Sequence, residues 1–525
     1  MKKIISVILA IGLILTLAAC GSNSEETDYD CTQDVISHFE GIANIPRPSH
    51  HEEKICEYLC SWAKNPGFEY EVDGQNNVII EVPATKGLEE KEKIALQCHM
   101  DMVFAQNSGT ALDALETPIS VINDGTYLKS DGNTSLGADD GIGLAIAMNI
   151  CEGKMAHGPI RFIITTNEED GCTGAFALDP SYLSDIKYLI NIDAEEEGAI
   201  CLSTAAAVLE EFTKEAAFVE PEKDTAVKIE ISGLRGGHSG IDIVYNRLNA
   251  IRIMPEFLIE LDNAQISYEL SDIEGGSASN AIATSCTALI YIDSEDLSKT
   301  QEIISEKAKE MKQAHEGTDP DMTVNVTTNE NAKSKNKVLS SDSKTAILSF
   351  LSGITNGVVT MSKDVTDLVE SSSNIGTVKI SDGKISVSSL VRSSSLERLD
   401  EILSADKASA NKFGFTYESN KSADPWPYNP DSHLMKVADE TYLTLFGKEL
   451  GHLTVHAGLE CGTFSVYNPE LDMIAVGPTI LDAHTTDERV EISSIDKVWR
   501  LLEGILCEIR CKIPRWSLRL SGKIS

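Results

Sequence analysis

Five short segments of the chain bring together the side-chain types that bind divalent metal ions in proteins. They contain two histidines and several aspartates and glutamates, and all five come just after an apolar run. Neutral imidazole and carboxylate groups suit zinc, and an additional carboxylate can act as a general base. The five segments are residues 97–101 (QCHMD), 136–143 (LGADDGIG), 165–171 (TTNEEDG), 191–195 (NIDAE) and 483–488 (AHTTDE).

Each segment also has an ordinary structural explanation when it is considered alone. A single histidine at a strand end is more often a hydrogen-bonded core group than a metal ligand. Adjacent acids such as Glu168 and Glu169 usually form a solvated face, and Asp139 with Asp140 would also suit the start of a helix. The occurrence of all five segments after apolar runs favours a metal site over these separate explanations.

The elements that would position these residues follow an α/β pattern between residues 77 and 205. Helices are predicted after Asp140 and after Gly171, and short apolar runs alternate with them. Ligands of open α/β sheets bind at the carboxyl ends of the strands, which is where the metal-ligand types fall. The predicted strands are residues 78–82, 94–98, 160–166 and 188–193.

The pattern changes after residue 205. A strand over 227–232, a turn over 236–240 and a helix over 241–261 are followed by a strand at 284–292 and a helix at 297–313. The polar stretch 316–345 predicts a strand and a loop. These signals predict an inserted α+β domain, and helix and strand signals return at 434–446, 473–476 and 492–507.

Composition limits the kind of protein this chain can be. It has 525 residues, of which 42% are hydrophobic, so a largely disordered chain is excluded. With 82 acidic and 44 basic residues the formal charge is −38, which argues against a nucleic-acid partner because the surface repels phosphate.

The N-terminus has the features of a targeting segment. Lys2 and Lys3 precede an apolar run that ends in Leu17-Ala18-Ala19-Cys20, which resembles a bacterial lipobox. We therefore expect residues 1–19 to be a lipoprotein signal peptide, Cys20 to carry the lipid, and residues 20–30 to form a tether. The protein would then lie in the bacterial cell envelope, outside the cytoplasm, held to the membrane only by its anchor. An ordinary secretory signal or an uncleaved anchor are the alternatives.

Taken together, the segments resemble the metallopeptidases of the M20 clan, and within it the cytosol non-specific (Xaa-His, or aminoacyl-histidine) dipeptidases. The resemblance runs in family order over nearly the whole chain after residue 30. The matching stretches are IPRPSHHEEKI (45–55), LQCHMDMV (96–103), LKSDGNTSLGADDGIGLAIAM (128–148), TTNEEDGCTGA (165–175), INIDAEEEGAI (190–200), GGHSGIDI (236–243) and VGPTILDAHTTDERV (476–490).

The resemblance implies a site with two zinc ions, or with manganese or cobalt in their place. Asp139 would bridge the ions, Glu168 would be the general base, and Asp101 would orient the imidazole of His99. The metal ligands implied are His99, Asp139, Glu169, Asp193 and His484.

It also implies a discontinuous catalytic domain (31–205 and 421–525), with a mixed sheet flanked by helices, and a lid domain (206–420) inserted into it. Substrate-binding positions in and near the lid would be His238, Asn280, Arg392, His456 and Gly458. His238 would bind the developing oxyanion, from its own chain or from a partner subunit, because a homodimer through the lid is a further implication of the resemblance.

The expected function is hydrolysis of dipeptides by metal-activated water. Another amidohydrolase of the clan, such as an aminoacylase or a carboxypeptidase, is the nearest alternative. A lipoprotein that binds peptides without cleaving them is an alternative from a different class. That last class predicts loss of ligands or base, and the chain retains all of them.

Overall fold

A computed structural model describes residues 30–328, 337–363, 368–456 and 458–510. The predicted signal peptide, Cys20 and the chain after Arg510 lie outside these residues. The chain divides into two compact units. The first unit contains residues 30–202, 429–453 and 467–510, and the second unit contains residues 203–428 and 454–466.

The first unit is built around a mixed sheet. Its four middle strands run parallel to one another, and antiparallel strands lie on both sides of them. The order across the sheet is Glu69–Val72, Val78–Val82, Ile160–Thr165, Ile94–His99, Tyr188–Asn191, Asp472–Ala475, Ala199–Thr204 and Gly451–Val455.

The middle strands form the centre of the core, because nearly all of their side chains are buried. All six residues of Ile94–His99 and all six of Ile160–Thr165 are buried. Continuous burial on both faces is typical of parallel strands that are covered by helices. The parallel direction brings the residues after His99, Thr165, Asn191 and Ala475 to the same edge of the sheet.

Helices and a smaller sheet complete the first unit. Its α-helices are Thr32–Ala43, Glu53–Lys64, Ala138–Asn149, Thr173–Ala177, His433–Phe446 and Ile492–Arg510, with a π-helix at Ile150–Lys154 and a 3-10 helix at Pro180–Leu183. The smaller sheet has the order Ile480–Leu481, Arg489–Glu491, Tyr127–Lys129 and Ile122–Asn123.

The helix Ala138–Asn149 is buried along all of its twelve residues. It begins directly after Gly137, whose φ of 68° lies in the left-handed region. A Cβ at this position would come within 2.8 Å of the side chains of Met102 and Arg47. Glycine is therefore required here both for the backbone conformation and for the close packing that brings the helix start to the sheet.

The second unit contains a nine-stranded, largely antiparallel sheet. Eight strands follow one path, and Gly357–Met361 pairs with one of them, Val369–Ser381. The order along the path is Thr323–Thr328, Thr225–Ser232, Cys286–Ile292, Tyr268–Gly275, Val369–Ser381, Lys384–Ser393, Ala206–Glu215 and Thr416–Ala423, and a separate pair is formed by Phe218–Val219 and Val338–Leu339.

Four long helices pack on this sheet and enclose its apolar core, which includes Phe212, Phe257 and Phe350. They are Ala250–Asn263, Leu297–Ala314, Ser341–Gly353 and Leu396–Phe413; shorter helices are Ile243–Tyr245, Ser294–Asp296 and Cys461–Tyr467, the last of which reaches into the first unit by one residue. The predicted α/β fold class with an α+β insert is confirmed. Among the described residues, no helix is both long and apolar enough to cross a bilayer.

The helix predicted over 241–261 was wrong at its N-terminal end. Residues 243–245 form only one 3-10 turn, and Asn246 follows with a left-handed φ of 50°. The α-helix begins at Ala250 because the Asn249 side chain accepts hydrogen bonds from the backbone N–H groups of Ile251 and Arg252. Such capping by asparagine fixes a helix start that hydrophobic periodicity alone does not reveal.

The borders of the second unit also differ from those predicted for the lid domain. Its second border lies after Tyr428 rather than after residue 420, because the strand Thr416–Ala423 pairs along the strand Ala206–Glu215. Residues 454–466, which the prediction assigned to the catalytic domain, belong to this unit. Ser465 Oγ donates to the carbonyl of Pro425 and thereby ties this segment to the sheet end.

Two buried acids in the second unit predict a pH-dependent stability. Glu210 and Asp406 are 0% and 1% exposed, and their carboxyl groups face each other closely enough to share a hydrogen bond when one of them is protonated. Burial raises the pKa of Glu210 to about 8 and also raises the pKa of Asp406. Between pH 4.5 and about 8 the folded chain therefore holds a proton that the unfolded chain has lost, so stability falls as pH rises through this range.

Glu210→Gln should remove that pH dependence, since its amide can donate to Asp406 without titrating. We expect the variant to lose roughly 1 to 3 kcal/mol of the difference in unfolding free energy between pH 5 and pH 8. Urea unfolding at the two pH values measures it, with Glu211→Gln, an exposed neighbour on the same strand, as control. An unchanged difference between the two pH values would contradict this assignment.

Candidate metal centre

The two histidines and three of the acids singled out in the sequence meet at the edge of the first unit's sheet. Asp139 lies between the histidines and presents one oxygen to each of them. Its Oδ1 is 3.1 Å from His99 Nε2, and its Oδ2 is 3.0 Å from His484 Nε2. This carboxylate is therefore oriented as a bridge between two imidazoles.

Each imidazole faces one further carboxylate. On the side of His99, Asp193 Oδ1 lies 3.5 Å from Nε2. On the side of His484, Glu169 Oε1 lies 2.8 Å from Nε2. The result is two groups of one imidazole nitrogen and two carboxylate oxygens, which share Asp139.

The two groups differ in how they are held. His99 is the last residue of a central strand and is fully buried. His484 follows the short strand Ile480–Leu481 on a tight turn, with a left-handed φ of 63°, and its side chain is 46% exposed. A cation can therefore reach the cluster from the side of His484.

The composition of the cluster fits divalent metal ions. Ligand atoms of His99, Asp139 and Glu169 lie within 4.8 Å of one another, so the two groups form one continuous cluster. Two imidazoles and three carboxylates are the donor types found in zinc sites, and a shared carboxylate is what a pair of ions requires. The residues present thus fit the two-metal site that the resemblance implies.

The electrostatics of the cluster also call for a cation. The hydrogen bonds with Asp139 and Glu169 raise the pKa of His484 to about 11. Burial alone would lower the pKa of His99, but the carboxylates of Asp193, Asp101 and Asp139 outweigh it and raise the pKa. Without a metal ion, protons on the imidazoles balance the carboxylates, and a metal ion must displace those protons.

Asp101 connects the His99 side of the cluster to the Glu168–Glu169 turn. Its Oδ1 lies 3.3 Å from His99 Nδ1 and accepts a hydrogen bond from the backbone N–H of Glu168 at 3.1 Å. Its Oδ2 accepts from Ser49 Oγ at 2.8 Å and from the backbone N–H of Glu169 at 3.3 Å. One carboxylate thus orients a ring and also fixes the turn that carries the two glutamates.

Glu168 is half-buried and lies on the turn after the strand Ile160–Thr165, next to Glu169. Its side-chain Oε1 lies 3.7 Å from the Sγ of Cys172, and the same sulfur is 3.7 Å from the Glu168 carbonyl oxygen. Because Glu169 faces His484 while Glu168 contacts Cys172, the two neighbouring carboxylates point to different surroundings.

The predicted lid residues all lie in the second unit. Three of them, His238, Arg392 and His456, form a basic cluster. Arg392 is buried, and among the described residues it forms no ion pair and its Nε has no hydrogen-bond partner. Burial lowers the pKa of Arg392 to about 10. Burial and the charge of Arg392 lower the pKa of His456 to about 3, and its Nε2 lies 2.8 Å from Ser372 Oγ. A buried cation without a counterion is suited to an anionic ligand.

His238 has one defined tautomer. Its Nδ1 accepts hydrogen bonds from the backbone N–H groups of Gly240 and Ile241 at 3.3 and 3.2 Å. The proton of the neutral ring is therefore on Nε2, which can donate to a ligand. Burial and the charge of Arg392 lower the pKa of His238, which favours this neutral form.

The other two predicted lid positions are Asn280 and Gly458. Asn280 is exposed, and its carbonyl accepts a hydrogen bond from the N–H of Ser239, which places it beside His238. Gly458 packs against Ala423, where an added Cβ would come within 2.8 Å of the alanine Cβ. Close packing accounts for this glycine, and its substrate-binding role stays a prediction.

Comparison with known proteins identifies the class of enzyme. Residues 95–508 match Peptidase family M20/M25/M40. The chain is 34% identical over 479 residues to the cytosol non-specific dipeptidase of Escherichia coli (strain K12), which covers 90% of this chain and 97% of the relative. It is similar to the crystal structure of the aminoacylhistidine dipeptidase from Vibrio alginolyticus, with 30% identity, a TM-score of 0.83 and coverage of 90% and 96% of the two chains. The fold is shared with the crystal structure of the aminopeptidase PepT from Bacillus cereus. That chain is 17% identical, with a TM-score of 0.52 and coverage of 91% of this chain and 98% of that one.

The site and the fold together define a peptidase with a candidate metal centre. The chain belongs to peptidase family M20/M25/M40. The prediction that it is an enzyme that hydrolyses peptide bonds is confirmed.

Proposed function

We propose that this protein is a two-zinc dipeptidase of broad specificity that accepts Xaa-His and similar dipeptides. The observation that supports it most is the division of the Asp139 oxygens between His99 and His484, each of which also faces its own carboxylate. One ion would be held by His99, Asp139 and Asp193, and the other by His484, Asp139 and Glu169. Manganese or cobalt would suit the same donors.

The bound ions would lower the pKa of a water molecule towards neutrality and polarise the peptide carbonyl. Glu168 accepts a proton from the attacking water on its carboxylate and delivers it to the amine nitrogen of the leaving residue, as the carbon–nitrogen bond breaks. Asp101 is a positioning residue, since it holds His99 and the backbone of the Glu168–Glu169 turn. His238 Nε2 donates a hydrogen bond to the oxyanion that develops on the carbonyl oxygen.

The basic cluster of the second unit binds the C-terminal carboxylate of the substrate in this proposal. Arg392 supplies the charge, because it is buried and has no carboxylate partner among the described residues. His456 remains neutral and contributes shape and hydrogen bonding, while Asn280 and Gly458 line the same region as the resemblance implies. A site that requires a carboxylate one residue beyond the cleaved bond selects dipeptides.

Arg392→Ala should therefore weaken binding of peptides with a free C-terminus and leave amidated peptides little changed. We expect the KM for a dipeptide to rise about 100-fold, because a charge-assisted hydrogen bond to a buried carboxylate is lost. The KM for the corresponding dipeptide amide should change less than threefold. Equal changes for the two substrates would show that Arg392 does not bind the terminal carboxylate.

A panel of substrates separates this proposal from its alternatives. It contains Ala-His, Gly-Gly, a tripeptide and an N-acetyl amino acid, and the full chain is assayed with added zinc. We expect cleavage of both dipeptides at rates well above those of the tripeptide and the N-acetyl amino acid. Preference for the N-acetyl amino acid would favour an aminoacylase. Preference for the tripeptide would favour an enzyme that acts on longer peptides. Zinc-loaded protein that cleaves none of these substrates would favour a peptide-binding protein.

We also propose that the enzyme is anchored in the cell envelope by a lipid on Cys20. This proposal rests on the lipobox-like sequence alone. The homodimer through the lid, which the resemblance implies, also stays a prediction. Mass spectrometry of the protein isolated from its own membranes should find a diacylglyceryl-modified cysteine as the first residue. An intact Met1 or an unmodified Cys20 would contradict the anchor.

A further inference from the structure

A buried carboxylate outside the proposed ligand set holds the segment that leads into Asp139. Glu488 is 2% exposed and accepts four backbone hydrogen bonds. Its Oε2 accepts from Leu136 and Gly137 at 2.8 and 3.0 Å, and its Oε1 from Ala138 and Asp139 at 2.7 and 3.3 Å. All four partners are N–H donors, so the side chain is needed as a carboxylate with two accepting oxygens.

A buried cation holds the carbonyl side of the same segment. Arg47 is 1% exposed and donates through Nη2 to the carbonyl of Gly137. Its Nη1 donates to the carbonyls of Met100 and Asp101, at 2.9 and 2.5 Å, in the loop that follows His99. Arg47 thus joins the His99 loop to the Asp139 segment, whereas Glu488 joins that segment to a different part of the chain.

That other part is the turn that carries His484. Glu488 lies four residues after His484, and its backbone N–H donates to the carbonyl of Thr485. The Arg489 guanidinium contacts the Asp482 carboxylate and donates to the Asp487 carbonyl, which closes the turn on both sides of His484. A displacement of the Glu488 side chain would therefore move His484 relative to Asp139.

We propose that Glu488 is a positioning residue that sets the spacing between His484 and Asp139, and hence the affinity for the ion these two residues share. The inference rests on the proposed two-metal site. The other ion shares Asp139 but also depends on His99, whose ring faces Asp101 and whose following loop is held by Arg47, both without Glu488. Glu488 contributes no atom to either group of ligands and acts only through the backbone and the turn.

Glu488→Gln tests the proposal in the full-length chain. The amide would present an N–H₂ group to two backbone N–H donors, so half of the interactions are lost while size and shape are kept. Asp487→Asn is the matched control, because it makes the same charge change at an exposed position of the same turn. Zinc affinities are measured by titration of the metal-free protein against a competing chelator, together with kcat and KM for Ala-His.

We expect Asp487→Asn to bind two ions, each with the affinity that wild type has for it. Glu488→Gln should bind the ion at His484 10- to 100-fold more weakly, the range found for residues that orient metal ligands. The ion at His99 should be weakened less, because only its shared ligand Asp139 is held by Glu488. Its kcat should recover as zinc is raised. Two unchanged affinities, or equal weakening of both, would overturn the proposal.

Two further measurements keep the test decisive. If metal-free Glu488→Gln does not unfold cooperatively and is therefore not folded, the zinc titration is repeated on Glu488→Asp, which keeps the charge but shortens the side chain. The same selective loss of affinity for the ion at His484 is then required. If wild type itself binds fewer than two ions, the proposed two-metal site has failed, and that result is distinct from failure of the role of Glu488.

Discussion

Glu168→Gln should yield a folded, metal-binding protein whose kcat for Ala-His is lower by roughly 10²- to 10⁴-fold. Glutamine keeps the size of the side chain and cannot accept the proton of the attacking water. The turn that carries residue 168 is fixed through its backbone N–H to Asp101, so the substitution leaves the turn in place. The pair of groups around His99 and His484 does not include this side chain, and two ions per chain should be retained.

Asp170→Asn is the control for this experiment. Asp170 is the next acid after Glu169, its side chain is 72% exposed, and it pairs with His50 rather than with the metal cluster. Its substitution changes the charge of the same turn by one unit, and we expect kcat within threefold of wild type. Turnover of Glu168→Gln close to that of Asp170→Asn would remove Glu168 as the base.

Asp139→Ala has the second large effect, because one substitution removes a carboxylate oxygen from both groups of ligands. His99 and His484 would each keep a single facing carboxylate, Asp193 and Glu169 respectively. We expect the variant to retain less than one tightly bound ion per chain after dialysis and to lose measurable dipeptide hydrolysis. Elemental analysis of the dialysed protein measures the first effect directly.

The comparison with Asp193→Ala isolates the bridging role. Asp193 faces His99 alone, so its loss should weaken one ion and leave the group of His484, Asp139 and Glu169 intact. The two variants should therefore differ by about one ion per chain. Recovery of two tightly bound ions from Asp139→Ala would contradict the bridge, whatever the result for Asp193→Ala.

The cluster itself could be predicted from the sequence because strand direction does most of the positioning. Apolar runs that end at residues 98, 166 and 193 predict strands, and parallel strands bring the residues after them to one edge of the sheet. His484 is 345 residues from Asp139 in the chain, and it comes after the parallel strand Asp472–Ala475, with the short strand Ile480–Leu481 of the smaller sheet between them. Residue type and strand polarity select the five candidate segments, and the family resemblance selects the individual ligands within them.

The residues that hold the cluster could not be selected in this way. Arg47 and Glu488 bind backbone carbonyl and N–H groups, which are present at nearly every residue. Their contacts therefore cannot be predicted from the types of the side chains. In the sequence, Glu488 is simply one more acid close to His484. Only the fold shows that four N–H groups converge on its carboxylate.

The start of one helix was predicted wrongly, and the unit borders lie elsewhere than predicted, for a related reason. The periodic apolar residues from Ile241 onward resembled one helix, whereas the capping side chain of Asn249 places the start at Ala250. Segment 454–466 was assigned by its position in the chain, but Ser372 and Pro425 hold it in the second unit. Both outcomes depend on side-chain hydrogen bonds that hydrophobic periodicity does not encode.

The most direct test of the account is zinc content measured together with Ala-His hydrolysis on protein that begins at residue 21, before and after chelation. We predict two ions per chain, loss of activity when they are removed, and recovery when two equivalents of zinc are restored. Protein that binds no metal, or that cleaves Ala-His equally well after chelation, would contradict the central claim that His99, Asp139, Glu169, Asp193 and His484 form a two-metal peptidase site.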